Sequence, residues 1–136
     1  MNTFIERTIK PVLIVGGIGT ALAGLDAFFP RFAVENVQKI EWVPEYTIFV
    51  QHWGLMVCLI GVFMVVAAFK ESWRVPILLY AMIEKAFMVF LAVSNLRQPY
   101  AGGFLAPAVM DGIITLWCIA YFATLRRAAG EGAIGA

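Results

Sequence analysis

Four long apolar runs divide the chain, and short segments rich in Pro, Gly and charged residues separate them. The runs cover residues 11–29, 46–69, 76–96 and 104–125. A helix of about 20 residues, rising about 1.5 Å per residue, spans the roughly 30 Å hydrocarbon layer of a bilayer. The pattern therefore predicts an all-α integral membrane protein, a four-helix bundle that forms a single membrane domain over residues 1–136.

The segments outside these runs are short. Residues 30–45 form the only sizeable one, and two alternatives remain for it: an ordinary loop, or a short interfacial helix lying on the membrane surface. The residues that would face the membrane in such a helix are Phe32, Val37, Ile40 and Trp42. Residues 126–136 are small and weakly patterned, and we expect them to form a flexible tail.

The first apolar run has two interpretations. Arg7 and Lys10 precede it, and the small residues Ala21 and Ala23 fall inside it, which is also the pattern of a signal peptide with its cleavage site. Because the acidic Glu6 lies within the basic segment, we expect a retained first helix that Pro11 opens.

Small residues recur along this first helix. Gly16, Thr20 and Gly24 follow each other at four-residue spacing, which predicts a smooth face against which another helix backbone packs closely. The alternative is that glycine is simply frequent in membrane helices. Asp26 lies within one turn of the predicted helix end, where exposure at the membrane interface would explain its charge.

The distribution of basic residues predicts the orientation of the bundle. With four crossings, both termini lie on one side; the segments on that side carry six basic residues, whereas those on the other carry three. The positive-inside rule then places both termini in the cytoplasm and residues 30–45 outside. We expect a multi-pass protein of the bacterial inner membrane.

Ionisable residues inside the predicted helices are the strongest candidates for function. Glu84 and Lys85 lie near the middle of the third helix, and Asp111 lies about 10 Å into the fourth. A charged side chain at such depth costs at least about 2.5 kcal/mol without a partner. Lys85 points about 100° away from Glu84 on the helix, so we predict a structural ion pair between Lys85 and Asp111.

The remaining polar groups suggest a site. His52, the one histidine, lies about 9 Å into the second helix, and Asn95 returns to nearly the same face as Glu84. We predict that His52, Glu84, Asn95 and Asp111 line a cavity open to the outside, with Glu84 meeting His52, and that they bind a ligand or handle protons. The alternative is that these groups only fix the register of the helices.

Composition excludes several function classes. Hydrophobic residues make up 62% of the chain and charged residues 14%, and the net charge is +1, so nucleic acid is not expected as a partner. Cys58 and Cys118 both fall inside apolar runs, where thiols behave as small hydrophobes. Their spacing fits neither a disulfide scaffold nor a metal site, and no cofactor is identified.

Four short motifs follow each other along the chain: His52-Trp53-Gly54, Trp73-Arg74, Glu84-Lys85 and Asp111-Gly112. With the order of elements over roughly residues 10–125, they resemble the DoxX-like group of small four-helix membrane proteins. The resemblance implies four membrane helices. Some members of that group are similar to subunits associated with quinone-linked oxidation of sulfur compounds, but the resemblance supports the four-helix fold more than any chemistry.

Three functions follow from these features. The first is an accessory or structural subunit of a larger membrane complex, with other membrane subunits or a second copy of the chain as partner, and without enzymatic activity of its own. The second is a protein that binds a quinone or lipid in the outward-facing pocket, linked to redox chemistry by another protein. The third is a proton-coupled transporter with Glu84 as the proton-binding acid.

Overall fold

The computed structural model describes residues 3–134, and the side chains of residues 4–126. Within this range all regular structure is helical, and no strand occurs. The α-helices are α1 (Thr3–Ala21), α2 (Gly24–Phe28), α3 (Pro30–Phe32), α4 (Thr47–Phe69), α5 (Arg74–Ser94) and α6 (Gly102–Ile134). A π-helical turn at Ala33–Val37 follows α3, and short 3₁₀ turns precede α4 and α5.

Four segments are long and apolar enough to cross a membrane. They are Phe4–Phe28, Pro44–Phe69, Glu71–Ser94 and Gly102–Arg126. Many of their large apolar side chains lie exposed on the outside of the bundle, as lipid-facing residues do. The prediction of an all-helical bundle with four helices able to cross a membrane is confirmed for the described residues.

Neighbouring helices run in alternating directions. Gly16 of α1 lies against Ile114 of α6, and Gly19 lies against Met110, so residue numbers rise along one helix as they fall along the other. One end of the bundle, called here the loop end, holds α2, α3, the start of α4 and the start of α6. At the opposite end, Glu6, Arg74 and Leu125 line one small cavity.

The compact core lies in the half of the bundle away from the loop end. It is built from aliphatic and small side chains of all four long helices: Ile9, Leu13, Met64, Ala67, Ala68, Leu78, Ala81, Ile114 and Cys118. Cys58 and Cys118 are free thiols. The half of the bundle away from the loop end is therefore filled by this core. The larger cavity described below lies in the half near the loop end.

Close packing of α1 on α4 depends on glycines. A Cβ atom on Gly17 would lie 2.7 Å from the carbonyl oxygen of Gly61, and one on Gly61 would meet the backbone of Gly17 and Ala21. The two backbones can approach this closely only because neither residue has a side chain. The predicted row also packs: Gly16 faces Ile114 and Gly24 faces Cys58, but Thr20 between them faces a cavity.

The first crossing differs in detail from its prediction. Helix α1 begins at Thr3, so Pro11 lies inside it rather than at its start. The helix is then interrupted at Leu22 and Ala23 before α2 resumes at Gly24. At the interruption the backbone bonds run to the third preceding residue, as from Asp26 to Ala23 at 3.0 Å, which tightens the turn.

The segment after α2 packs against the bundle on one side and leaves part of its predicted apolar face exposed. Ala33 and Val34 are buried, whereas the predicted apolar face contains Phe32 and Val37, which are exposed. The π-helical turn ends at Val37, and Lys39, two residues later, has a left-handed φ of 58° that prevents the helix from continuing. The segment thus packs on the bundle, and its placement on a membrane surface stays a prediction.

The end of the chain also differs from expectation. We predicted a flexible tail from residue 126, but α6 continues to Ile134. Ala, Arg and Glu, which dominate this stretch, are among the best helix formers and favour continuation of the helix. Residues 135–136 lie outside the described residues.

Candidate functional site

A buried ion pair joins the middle of α5 to α6. Lys85 is 1% exposed, and its Nζ donates to Oδ1 of Asp111 at 2.7 Å. Lys85 is the twelfth residue of the 21-residue helix α5, so the ammonium lies near the middle of the bundle. The contact is the one predicted from the sequence, and it satisfies a charge that would otherwise be costly in this environment.

Glu84 approaches the same lysine from the neighbouring position on α5. Its Oε2 lies 3.7 Å from Lys85 Nζ, close enough for attraction but too long for a hydrogen bond. That oxygen is buried and has no hydrogen-bond partner among the described residues. Lys85 therefore faces two carboxylates, of which only Asp111 is hydrogen-bonded to it.

A large cavity opens beside this charge cluster. Its volume is about 560 Å³, within the range of about 300–1,000 Å³ that is typical of small-molecule sites. Its walls are mostly apolar and come from α1, α2, the π-helical turn, α4, α5 and α6. The polar residues at its surface are Thr20, Asp26, Gln38, Glu84, Lys85 and Asp111. We call this space the core cavity.

Thr20 contributes a hydroxyl that the protein leaves unused. The residue is 3% exposed, it lines the core cavity, and its Oγ1 has no hydrogen-bond partner within the described part of the chain. By contrast, Thr8, Thr115 and Thr124 each donate to a carbonyl three or four residues earlier. An unpaired buried hydroxyl costs about 1–3 kcal/mol, and a hydrogen-bonding group placed in the cavity would remove this cost.

Asp26 supplies a further acid that sequence reasoning assigned to the membrane interface. It is 6% exposed, it lines the core cavity, and it accepts a hydrogen bond of 2.6 Å from Nε2 of Gln38. The interruption after α1 turns α2 inward and carries Asp26 with it. Asp26 and Thr20 are thus the site residues that the sequence analysis missed.

One glycine allows the loop end to close over the cavity. A Cβ on Gly103, in the first turn of α6, would collide with the carbonyl of Gln38. Because Gly103 has no side chain, the π-helical turn can rest directly on α6, and Gln38 can reach Asp26. Gln51 of α4 also holds this region by donating to the carbonyl of Ala27 at 3.1 Å.

The structure separates two of the predicted site residues from the others. His52 is exposed and does not line the core cavity, so the predicted contact between His52 and Glu84 is not formed. Asn95 donates to the carbonyl of Leu91 at 2.8 Å and accepts from the hydroxyl of Tyr100 at 3.1 Å. It lines a smaller cavity of about 210 Å³, which shares Met88 and Phe104 with the core cavity.

The site is therefore an apolar cavity with ionisable side chains on part of its wall. Among residues 3–134, no group of three or more His, Cys, Asp and Glu is arranged to hold a metal ion. The arrangement can hold a molecule with an apolar body and a polar end. Comparison with protein families, curated proteins and solved structures gives no match for this chain, and the DoxX-like resemblance stays a prediction.

Proposed function

We propose that the protein binds a membrane-soluble small molecule in the core cavity, with the polar end of that molecule at Glu84 and Thr20. The observation that carries this proposal is the coincidence of unused polar atoms with apolar space. Thr20 Oγ1 and Glu84 Oε2 are both buried without hydrogen-bond partners in the described residues, and both residues line the same cavity.

Helix specification alone does not account for this arrangement. A contact that only fixes helix register would pair its polar groups with each other, as Lys85 and Asp111 do. Glu84 and Thr20 are not paired in this way, and a guest that hydrogen-bonds to them would remove the cost of their burial. The proposal is therefore the second of the functions predicted from the sequence, without His52 as a contact.

Blocking the core cavity is expected to remove the bound molecule. Val57 of α4 lines the cavity, so Val57→Trp fills part of it, whereas Val62 on the same helix is exposed and does not line it. Purification in mild detergent followed by solvent extraction and mass spectrometry should find a molecule with wild type and with Val62→Trp, and little of it with Val57→Trp. Equal extracts from all three proteins, or no bound molecule with wild type, would contradict the proposal.

Two further substitutions in the same assay test which polar groups take part. Thr20→Val keeps the shape of the side chain and removes the unpaired hydroxyl, so the protein free of ligand should gain about 1 kcal/mol of stability. The amount of bound molecule should fall. His52→Ala should leave the extract unchanged, because His52 does not face the cavity.

The orientation of the bundle is a second part of the proposal. We infer that both termini face the cytoplasm and that the loop end faces outward, since basic residues number six on the proposed inner side and three on the outer side. The core cavity would then open toward the outer half of the bilayer. Membership of a larger complex, as an accessory subunit, stays a prediction.

Cysteine labelling tests this orientation. In a variant without Cys58 and Cys118, a cysteine at exposed Glu45 should react with a membrane-impermeant maleimide added to intact cells, or to spheroplasts if an outer membrane blocks access. A cysteine at exposed Ser72, in the turn before α5, should react only after the membrane is opened. The reverse pattern would show that the loop end faces the cytoplasm.

A further inference from the structure

Acidic side chains outnumber basic ones on the wall of the core cavity. Among the described residues, the carboxyl groups of Asp26, Glu84 and Asp111 line it, and Lys85 is the one basic residue in that lining. The Nζ atom of Lys85 donates a hydrogen bond to Oδ1 of Asp111 at 2.7 Å and lies 3.7 Å from Oε2 of Glu84. Asp26 forms no ion pair within the described residues, and its hydrogen-bond donor is the neutral amide of Gln38.

Building on the proposed function, we propose that the molecule held in the core cavity is an organic cation, with an ammonium-type or comparable positive centre and an apolar body. Its positive centre lies between Glu84 and Asp26, the two carboxyl groups to which Lys85 does not donate a hydrogen bond. An anionic head group would lie beside three acidic side chains in a region of low dielectric, which disfavours it.

The walls of the cavity suit an organic cation better than a metal ion. Trp53 and Phe104 present aromatic rings, and Met88 and Met110 present thioethers. Aromatic rings attract organic cations through their electron-rich faces, and methionine adapts to irregular apolar shapes. Within the described chain, no cluster of metal-ligating side chains is present.

The space available fits a head group with an apolar extension. The core cavity of about 560 Å³ and the smaller cavity of about 210 Å³ between α5 and α6 have Met88 and Phe104 as shared wall residues, so only these side chains need to move to join them. The smaller cavity is mainly apolar, with Asn95 and Tyr100 paired to each other. A tail or second ring can therefore leave the charged wall without meeting another unpaired polar group.

Two probe molecules of similar shape, one charged and one neutral, test whether the cavity prefers a positive charge. Methyltriphenylphosphonium is a cation, and triphenylphosphine oxide is a neutral molecule of closely similar size. Equilibrium dialysis against the purified wild-type protein in detergent should show at least about tenfold tighter binding of the cation, the effect of one charge-assisted contact. Tetraphenylborate, a bulky anion, should not bind to the cavity.

Substitutions then assign the effect to the two acids. Glu84→Gln and Asp26→Asn should each weaken cation binding by about tenfold, with little effect on the neutral probe. Glu45→Gln changes an exposed acid outside the cavity and should leave both probes unaffected. Because Glu84 also lies near Lys85, Asp26→Asn provides a second variant that leaves the α5–α6 ion pair intact.

The outcomes distinguish this inference from the proposed function. Equal binding of the cation and the neutral probe, or cation binding unaffected by both acid substitutions, would overturn the assignment of a cation while leaving a small-molecule site in place. A naturally bound molecule that proves to be neutral or anionic would overturn it as well. Failure of all probes, together with an empty extract from the wild-type protein, would overturn both.

Discussion

Lys85→Met is expected to lower the free energy of unfolding by about 3–5 kcal/mol, the cost of leaving a buried charge without its partner. Among the described residues, Lys85 is the cation that faces Asp111 and Glu84, and its substitution leaves both carboxylates without compensation. Asp111→Asn should cost less, since Lys85 keeps Glu84 nearby as a second acid. The asymmetry follows from the geometry of one ammonium between two carboxylates.

Thermal or denaturant unfolding in a single detergent can measure this difference. The double variant Lys85→Met with Asp111→Asn should be less destabilised than the two single losses added together, because each substitution removes the need for the other. An exposed pair provides the control: Arg31 and Glu35 form an ion pair one helical turn apart, and breaking it should cost at most about 1 kcal/mol. Strictly additive losses at Lys85 and Asp111 would show that the two are not coupled.

The Lys85–Asp111 pair was predictable because it depends on depth and helical period, both of which the sequence contains. Each charge sits well inside an apolar run, and the cost of an unpaired charge there requires a partner at a similar level. The four membrane crossings follow from the same reasoning about length and hydropathy. These features need no knowledge of how each helix is rotated about its axis.

The contact between His52 and Glu84 was not formed because depth does not fix helix rotation. Gly54 and Gly61, seven residues apart, lie on nearly the same face of α4, and both pack against the first crossing. His52 is two residues before Gly54 and therefore points about 200° away from that face. The two glycines on α4 were the signal in the sequence that could have placed His52 on the outside.

The role of Asp26 and Thr20 could not be derived from an assumed continuous helix over residues 11–29. The interruption at Leu22 and Ala23 depends on local 3₁₀ bonding and on the packing of α2 against α4. It brings Asp26 into the interior, where Gln38 from a distant loop meets it. Apolar periodicity predicts where a helix lies, whereas a break of two residues leaves almost no trace in that pattern.

Gly61→Ala is expected to lower the free energy of unfolding by about 1–3 kcal/mol, the cost of overpacking, although only one methyl group is added. The new Cβ would collide with the backbone of Ala21 and would lie 2.5 Å from the carbonyl oxygen of Gly17. Backbone atoms within a helix cannot rotate away as a side chain can, so α1 and α4 must separate. Their separation would also disturb the break after α1, which positions Asp26 in the core cavity.

Gly112→Ala is the matched control for this prediction, because it makes the same change within another membrane-spanning helix. The nearest atom to a Cβ at Gly112 is a methyl group of Val89 at 3.8 Å, an ordinary contact. Ala favours helix more than Gly by about 1 kcal/mol, so this variant should be as stable as wild type or more stable. Since Gly61→Ala gains the same helix propensity, the difference in stability between the two variants measures the cost of the lost helix contact. Equal stability of the two variants would show that α1 and α4 are not held at backbone distance, and the position assigned to Asp26 would then lose its support.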